Sequence, residues 1–301
     1  MTRYLICKGW EGFCDRLQVL SNCIDLALRY NRILLVDWTD RIWSNGNNSF
    51  YDYFDLSNVP YVTSVKDIPK NLNTYPALWN NAINQTTDEW IYNVKDQLII
   101  HPKEIGNHFE SVWVHPCIGY REYDFIQLAK HLRLSGKISQ IILDRIGSDF
   151  QGLPIVHLRG TDRKLGNKKT EENWAKLRAL APTAAILSDD TDLINKWLSE
   201  SPDSIAASKT AIAGFQAGHK FNENNLSQMG MSKHNMNIQL ISDFLLLAQA
   251  KEAYALDEES LFFNMARFFG KCGGMKTIFD PCKNEVHLPT SFPGHQFILK
   301  K

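Results

Sequence analysis

An α/β chain of two domains on mostly parallel sheets is predicted by three observations. Short apolar runs alternate with stretches of helical period, first at the amino-terminal end and again from residue 155 onward. Ile33-Leu34-Leu35-Val36 is apolar without alternation, as befits a strand covered on both faces. The 301 residues suffice for two cores of about 150 residues each.

Taken in order, Tyr4 to Cys7 reads as a strand and Lys8 to Arg16 as a loop. Leu17, Leu20, Ile24, Ala27 and Leu28 then recur at helical spacing through Tyr30, and Ile33 to Val36 completes a β-loop-α-β unit. From about residue 40 to 125 aromatics, Asn and Pro abound without periodicity, which predicts long loops and short elements lining an acceptor groove. Trp38, Trp43, Tyr51, Tyr53 and Phe54 suit core packing, with sugar stacking the alternative for any one of them. Helices follow at Tyr123 to Leu132 and Ile138 to Ile146. The Gly147 to Gly152 stretch reads as a linker, which divides the chain into domains 1–150 and 151–301. Beyond it come strand Ile155 to Leu158, helix Glu172 to Leu180, strand Ala184 to Leu187 and helix Thr191 to Ser199. Ala211 to Lys233 is polar and rich in Gly and Asn, a mobile loop by composition. Helix Asn235 to Gln249, strand Ala253 to Leu256, helix Ser260 to Phe269 and a last strand at Thr277 to Phe279 complete the series.

Charge excludes some partners. The 33 Lys and Arg balance 33 Asp and Glu, so no global field draws the chain to nucleic acid or anionic lipid. No run approaches the roughly 20 apolar residues of a membrane span, and the opening apolar run is too short for a signal peptide. Six scattered cysteines (Cys7, Cys14, Cys23, Cys117, Cys272 and Cys282) without CxxC spacing predict reduced thiols and a cytoplasmic setting. His101, His108 and His115 recur every seven residues outside any helical pattern, and they read as scattered histidines rather than a metal site.

The densest chemistry is Ile155-Val156-His157-Leu158-Arg159-Gly160-Thr161-Asp162-Arg163, a strand that ends in charge. Open α/β sheets place ligand-handling groups at that end. Arg159 and Arg163 offer fixed-charge donors, Gly160 permits close backbone approach and Thr161 adds a hydroxyl, a set suited to phosphate. A surface turn with a solvated ion pair is the alternative. Three more segments follow strands in the same way: Gly9 to Arg16, Ser188-Asp189-Asp190-Thr191, and Leu256 to Ser260.

Together these segments resemble, in motif order, the GDP-fucose-dependent fucosyltransferase superfamily, which embraces α1,6-fucosyltransferases, protein O-fucosyltransferases and bacterial chitin-oligosaccharide fucosyltransferases. Gly12-Phe13-Cys14-Asp15-Arg16-Leu17 is similar to its Gly-x-Gly-Asn-Arg-Leu pattern and His157 to Arg163 to its His-x-Arg-Arg-Thr-Asp-Lys segment. Leu187 to Thr191 resembles Ala-Thr-Asp-Asp, and Asp243 through Ser260 its last motif. The resemblance implies a GT-B-like fold, two Rossmann-like domains with parallel sheets facing across a cleft, the first on the acceptor side and the second binding the nucleotide sugar. It implies inverting, metal-independent transfer of fucose from GDP-fucose to a glycan or lipid-linked oligosaccharide in polysaccharide biosynthesis, with no cofactor and a position at most peripheral to membrane-bound glycan assembly. Transfer of another GDP-linked sugar, or a silent glycan-binding module of the same fold, are the alternatives.

On this resemblance Arg159 neutralises the departing diphosphate. Glu11, matching a Glu-Gly-Phe segment, takes the acceptor proton, with Asp15 and Asp162 in reserve. Gly12, Phe13, Arg16, His157, Gly160, Thr161, Asp162, Arg163, Asp189, Asp190, Asp243 and Ser260 are expected at substrate or nucleotide. Glu11 can instead cap the next helix or pair with Arg16, and Ser260 can act as an N-cap, a phosphate donor, or both. Asp190-Thr191-Asp192 has the spacing of a metal-binding DxD but stands where a helix begins, so capping is expected and no metal. The usual double arginine is here Arg159-Gly160, leaving Arg163 or Arg16 to compensate, and Cys14 and Asp15 replace Gly and Asn.

Overall fold

A computed structural model describes residues 2–44, 49–87, 109–116, 125–150, 152–160, 167–208, 226–227 and 230–281. The chain forms two compact units, one of Met1–Lys137 with Cys272–Lys301 and one of Ile138–Lys271. The division therefore falls ahead of the Gly147 to Gly152 stretch, which carries a 3₁₀ turn at Ser148–Phe150, and the chain returns to the first unit after residue 271.

In the first unit β1 (Tyr4–Lys8) is the centre of a parallel sheet, every residue buried. It pairs with β2 (Ile33–Asp37) in the register Tyr4↔Ile33 to Lys8↔Asp37, and on its other side with β6 (Val112–Pro116). β4 (Tyr61–Val62) and β5 (Thr74–Tyr75) form the edges, giving the order β4-β2-β1-β6-β5. The β1-to-β2 crossover is α1 (Phe13–Arg29), a full turn longer at its start than the periodicity predicts, and buried on most of its circumference. A separate antiparallel pair joins β3 (Phe54–Leu56) to β7 (Leu132–Leu134), the latter following the short helix α2 (Ile126–His131).

The aromatics between residues 38 and 54 are core, as expected for most of them: Trp38, Trp43, Phe50, Tyr53 and Phe54 interlock with one another and with Phe13 of α1 at centroid spacings of 5.0 to 6.3 Å. The predicted strand at Thr277 to Phe279 is instead the end of a single helical turn. Gly273, at φ +83°, reverses the chain into Gly274–Thr277, and the Leu134 N–H donates to the carbonyl of the buried Ile278.

The second unit holds a four-stranded parallel sheet: β8 (Ile155–Leu158), β9 (Ala185–Ser188), β10 (Ile205–Ala206) and β11 (Ala253–Ala255), in the order β10-β9-β8-β11. The helices follow the predicted alternation: α3 (Ser139–Ile146), α4 (Asn167–Leu180), α5 (Thr191–Glu200), α6 (Lys233–Gln249) and α7 (Leu261–Lys271). Val156, Leu158, Trp174, Leu177, Ile186, Ile194 and Trp197 make one core. Trp174 and Trp197 meet edge to face at 5.2 Å, with their indole N–H groups donating to Glu200 and Ser204. Gly270 lets α7 lie against α6, since a Cβ there would stand 2.0 Å from the Ala248 carbonyl oxygen.

Successive crossovers from β8 build the sheet outward through β9 and β10, and β11 then lies on the opposite flank of β8. The strand order reverses between β8 and β11. The carboxyl ends of those two strands flank the crevice where open α/β sheets take their ligands.

Candidate functional site

At that crevice β8 delivers His157, Arg159 and Gly160, while β11 leads through Asp257 to Ser260 at the start of α7. His157 is buried, and its ring stacks on Phe262 at 5.6 Å and Phe263 at 6.3 Å. Its Nδ1 has no hydrogen-bond partner among the described residues. Burial pushes the imidazole down to about 4; the acidic side chains of Asp189 and Asp257 oppose that shift, and Arg159 reinforces it. The ring is therefore neutral at pH 7, and its Nδ1 is buried with that hydrogen-bonding capacity unused among the described residues.

The backbone after β8 is held by the turn after β9. The Gly160 N–H donates to Asp189 Oδ1 at 3.0 Å, and the Ser188 hydroxyl donates to the Leu158 carbonyl at 2.6 Å while accepting from the Asp190 N–H. Asp190 is the N-cap of α5, its Oδ1 accepting from the Asp192 N–H at 2.8 Å, so the first acid of the Asp-x-Asp caps a helix as expected. A Cβ at Gly160 would lie 2.7 Å from Asp190 Oδ2 and 2.6 Å from Leu193 Cδ1. The space that a second arginine side chain would enter is filled by the cap itself.

Asp243 stands behind this edge. Its Oδ2 accepts from the Ser208 hydroxyl at 2.8 Å, its Oδ1 accepts from Gln239, and Gln239 Oε1 accepts from Arg145 at 3.2 Å. Ser208 in turn accepts from the Ser188 N–H. Burial raises the Asp243 carboxyl to about 7 against the lowering effect of those donors. Its observed contacts support the β9 end. Ser260 is fully buried and caps α7, its hydroxyl accepting from the Phe263 N–H at 3.4 Å. Thr161, Asp162 and Arg163 lie outside the described residues, as do most of Ala211 to Lys233, Cys117, Cys282, His101 and His108.

The first unit has its own strand-end cluster. Lys8 Nζ, buried, bonds Asp37 Oδ2 at 2.5 Å and the carbonyls of Ile83 and Gln85 at 2.6 and 2.7 Å. Arg16 is 0% exposed: its guanidinium donates to both Asp40 oxygens at 2.8 and 2.7 Å and its Nε to the Glu11 carbonyl at 3.0 Å, between the rings of Trp38 and Trp43. Arg16, expected at the substrate, is here engaged with a buried carboxylate. Phe13, expected at the substrate, stacks on Trp43 and Phe54 in the core. Glu11, Gly12 and Asp15 stay partly exposed at the loop. Glu11 takes φ +64°, a conformation uncommon for a residue with a side chain. Gly12 is the N-cap of α1, and Asp15 lies in the first turn, where a carboxylate complements the helix dipole.

Several residues of these clusters escape a reading by sequence. Gly9 makes room for the Arg16–Asp40 pair: a Cβ there would stand 2.2 Å from Arg16 Nη1 and 2.5 Å from Asp40 Oδ2. The signal is a glycine directly after a strand with an arginine seven residues on. Phe262 and Phe263 are signalled only by an aromatic pair following the Ser260 cap. Among the described residues no group of three His, Cys, Asp or Glu is placed to hold a metal, and no helix is long and apolar enough to cross a membrane.

No protein-family model matches the sequence, and no curated protein matches it. Solved structures do match it in three dimensions. A NodZ α1,6-fucosyltransferase co-crystallised with GDP is 19% identical, with 89% of this chain and 93% of that chain covered and a TM-score of 0.63. A NodZ crystal soaked with GDP-fucose is 20% identical, with the same coverage and TM-score. The fucosyltransferase NodZ from Bradyrhizobium is 18% identical, covering 89% of this chain and 94% of that one at a TM-score of 0.64. The chain thus has the fold of these GT-B fucosyltransferases, α/β with parallel sheets, as the order of its motifs predicts.

Proposed function

We propose that the chain is a glycosyltransferase that moves fucose from GDP-fucose to a glycan or lipid-linked oligosaccharide, with inversion and without a metal. The observation that carries this reading is Arg159 beside the neutral, buried His157 at the β8/β11 switch point, in a fold whose NodZ examples were crystallised with GDP and soaked with GDP-fucose. In the proposed step the acceptor oxygen forms a bond to the anomeric carbon as the bond from that carbon to the diphosphate oxygen breaks. The departing oxygen gains negative charge, which Arg159 neutralises. The acceptor hydroxyl passes its proton to a carboxylate, for which Glu11 is proposed, supported by its partial exposure and by the Glu-Gly-Phe resemblance.

The donor half of this reading needs a cation held at a fixed place, and the Asp189 bond to the Gly160 N–H supports that. Arg159→Ala is expected to lower transfer from GDP-fucose by about a hundredfold or more; near-normal turnover would remove the assignment. A second reading, a sugar-binding module without turnover, is favoured by Gly160, since the Asp190 cap excludes a second arginine there. It predicts glycan binding with neither transfer nor hydrolysis of GDP-sugars.

A further inference from the structure

A groove of about 670 Å³ opens on the first unit, within the roughly 300–1,000 Å³ of small-molecule sites. Its floor is apolar, with Leu35, Ile68 and Val112 among the lining residues. Asn71, Asn81 and Asn84, all exposed, also line it. Two of these asparagines, Asn71 and Asn81, hold φ of +64° and +61°, so turn geometry accounts for their identity. It does not account for Lys66 and Lys70, two exposed lysines on the same groove.

The charge of the groove can be counted. Asp37 is the only acid among the described lining residues, and both its oxygens are engaged: Oδ2 by the Lys8 ammonium, Oδ1 by the Thr39 hydroxyl at 2.6 Å. Lys66 and Lys70 have no carboxylate within ion-pairing distance among the described residues. Among the described lining residues the two lysines therefore outnumber the one acid, which Lys8 already pairs. A divalent cation has no free acid among the described lining residues to ligate it. A nucleobase has no ring to stack on, because no aromatic side chain is among the described lining residues. An apolar floor for the C–H face of a pyranose, amides for its hydroxyls and ammonium groups for an anion fit one class of ligand.

We propose that this groove, lined by residues of the first unit, binds a saccharide carrying a phosphate or carboxylate group. The proposal does not depend on the chain being a transferase.

The test is titration of the full chain, by calorimetry at low salt, with glucose 1-phosphate, glucuronic acid, neutral di-N-acetylchitobiose and inorganic phosphate. At least one anionic sugar is expected to bind tenfold or more tighter than the neutral disaccharide and than inorganic phosphate. Binding to glucose 1-phosphate, glucuronic acid or both tells which anion is read. The double variant Lys66→Ala/Lys70→Ala should weaken that binding at least tenfold while keeping the parent's melting temperature, since both side chains are exposed. Asn84→Asp, which adds a negative charge at the rim, should weaken it too. Equal binding of neutral and anionic sugars, equal binding of inorganic phosphate, no binding at all, or binding unchanged in the double variant would each overturn the proposal.

Discussion

Replacing Arg16 by leucine removes a guanidinium that bonds both Asp40 oxygens and the Glu11 carbonyl, and leaves Asp40 in a site where its side chain is 1% exposed. Burial pushes the Asp40 carboxyl up, and Arg16 together with the backbone N–H groups of Ile42 and Trp43 more than offsets this, holding it below the ordinary carboxylate range. In the parent, Asp40 therefore contributes stability that is present above its unfolded pKa and lost as pH falls through the lower folded one. In the variant the sign reverses, because burial then favours the neutral acid. Removing one partner of a buried pair costs about 3–5 kcal/mol at neutral pH. That cost should shrink steadily between pH 7 and pH 4 as Asp40 takes up a proton. Urea unfolding read by tryptophan emission suits the measurement, since Trp38 and Trp43 lie 5.6 and 5.8 Å from the guanidinium. The double variant Arg16→Leu/Asp40→Leu should recover part of the loss. Parent-like stability in Arg16→Leu with loss of ligand binding alone, or a destabilisation that ignores pH, would refute the reasoning and return Arg16 to the substrate.

Other perturbations follow from the same geometry. Gly160→Ala must displace Leu193 or the Asp190 cap and should cost about 1–3 kcal/mol in chemical denaturation, weakening GDP binding by disturbing Arg159; a fully stable variant that still binds GDP would contradict it. Arg267→Ala removes donors to the carbonyls of Leu247, Ala250 and Lys251 at the end of α6, a loss of about 2 kcal/mol that a thermal melt would register. Asp243, raised to about 7 from an unfolded value near 3.8, stabilises the protonated fold, so its contribution falls as pH rises from about 4 to about 7. Its partial exposure limits the effect to about 2 kcal/mol. Asp243→Asn should flatten the stability profile in that window, and an unchanged slope would count against the assignment.

Much of the second unit is legible in the sequence because its strands and helices alternate with clean periods, so that β8, β9, β11 and the helices between them fall within a few residues of their predicted places. The central β1–α1–β2 of the first unit is legible for the same reason. β6 is not: Val112–Pro116 sits in a stretch without periodicity and is a strand because it pairs with β1, more than a hundred residues away. Nor is the β3–β7 pair, where Leu132–Leu134 directly follows α2 and its first leucine continues the helical period. Thr277 to Phe279 has a strand's composition, yet the left-handed Gly273 turns it into a helix end. At the sites, residue types reveal that Arg159 ends a strand, but not that Arg16 faces inward. An arginine next to a loop looks the same whether its partner is a phosphate or an aspartate 24 residues on, and only the close approach over Gly9 decides.

The most direct test of the central claim is the thermal shift of the purified chain with GDP against UDP, CMP and ADP, without metal, for the parent and for Arg159→Ala. A nucleotide present at 100 times its dissociation constant adds about 2.7 kcal/mol of stability. The account predicts a shift with GDP alone, strongly reduced in Arg159→Ala. Equal shifts with all four nucleotides, or none with GDP, would contradict it.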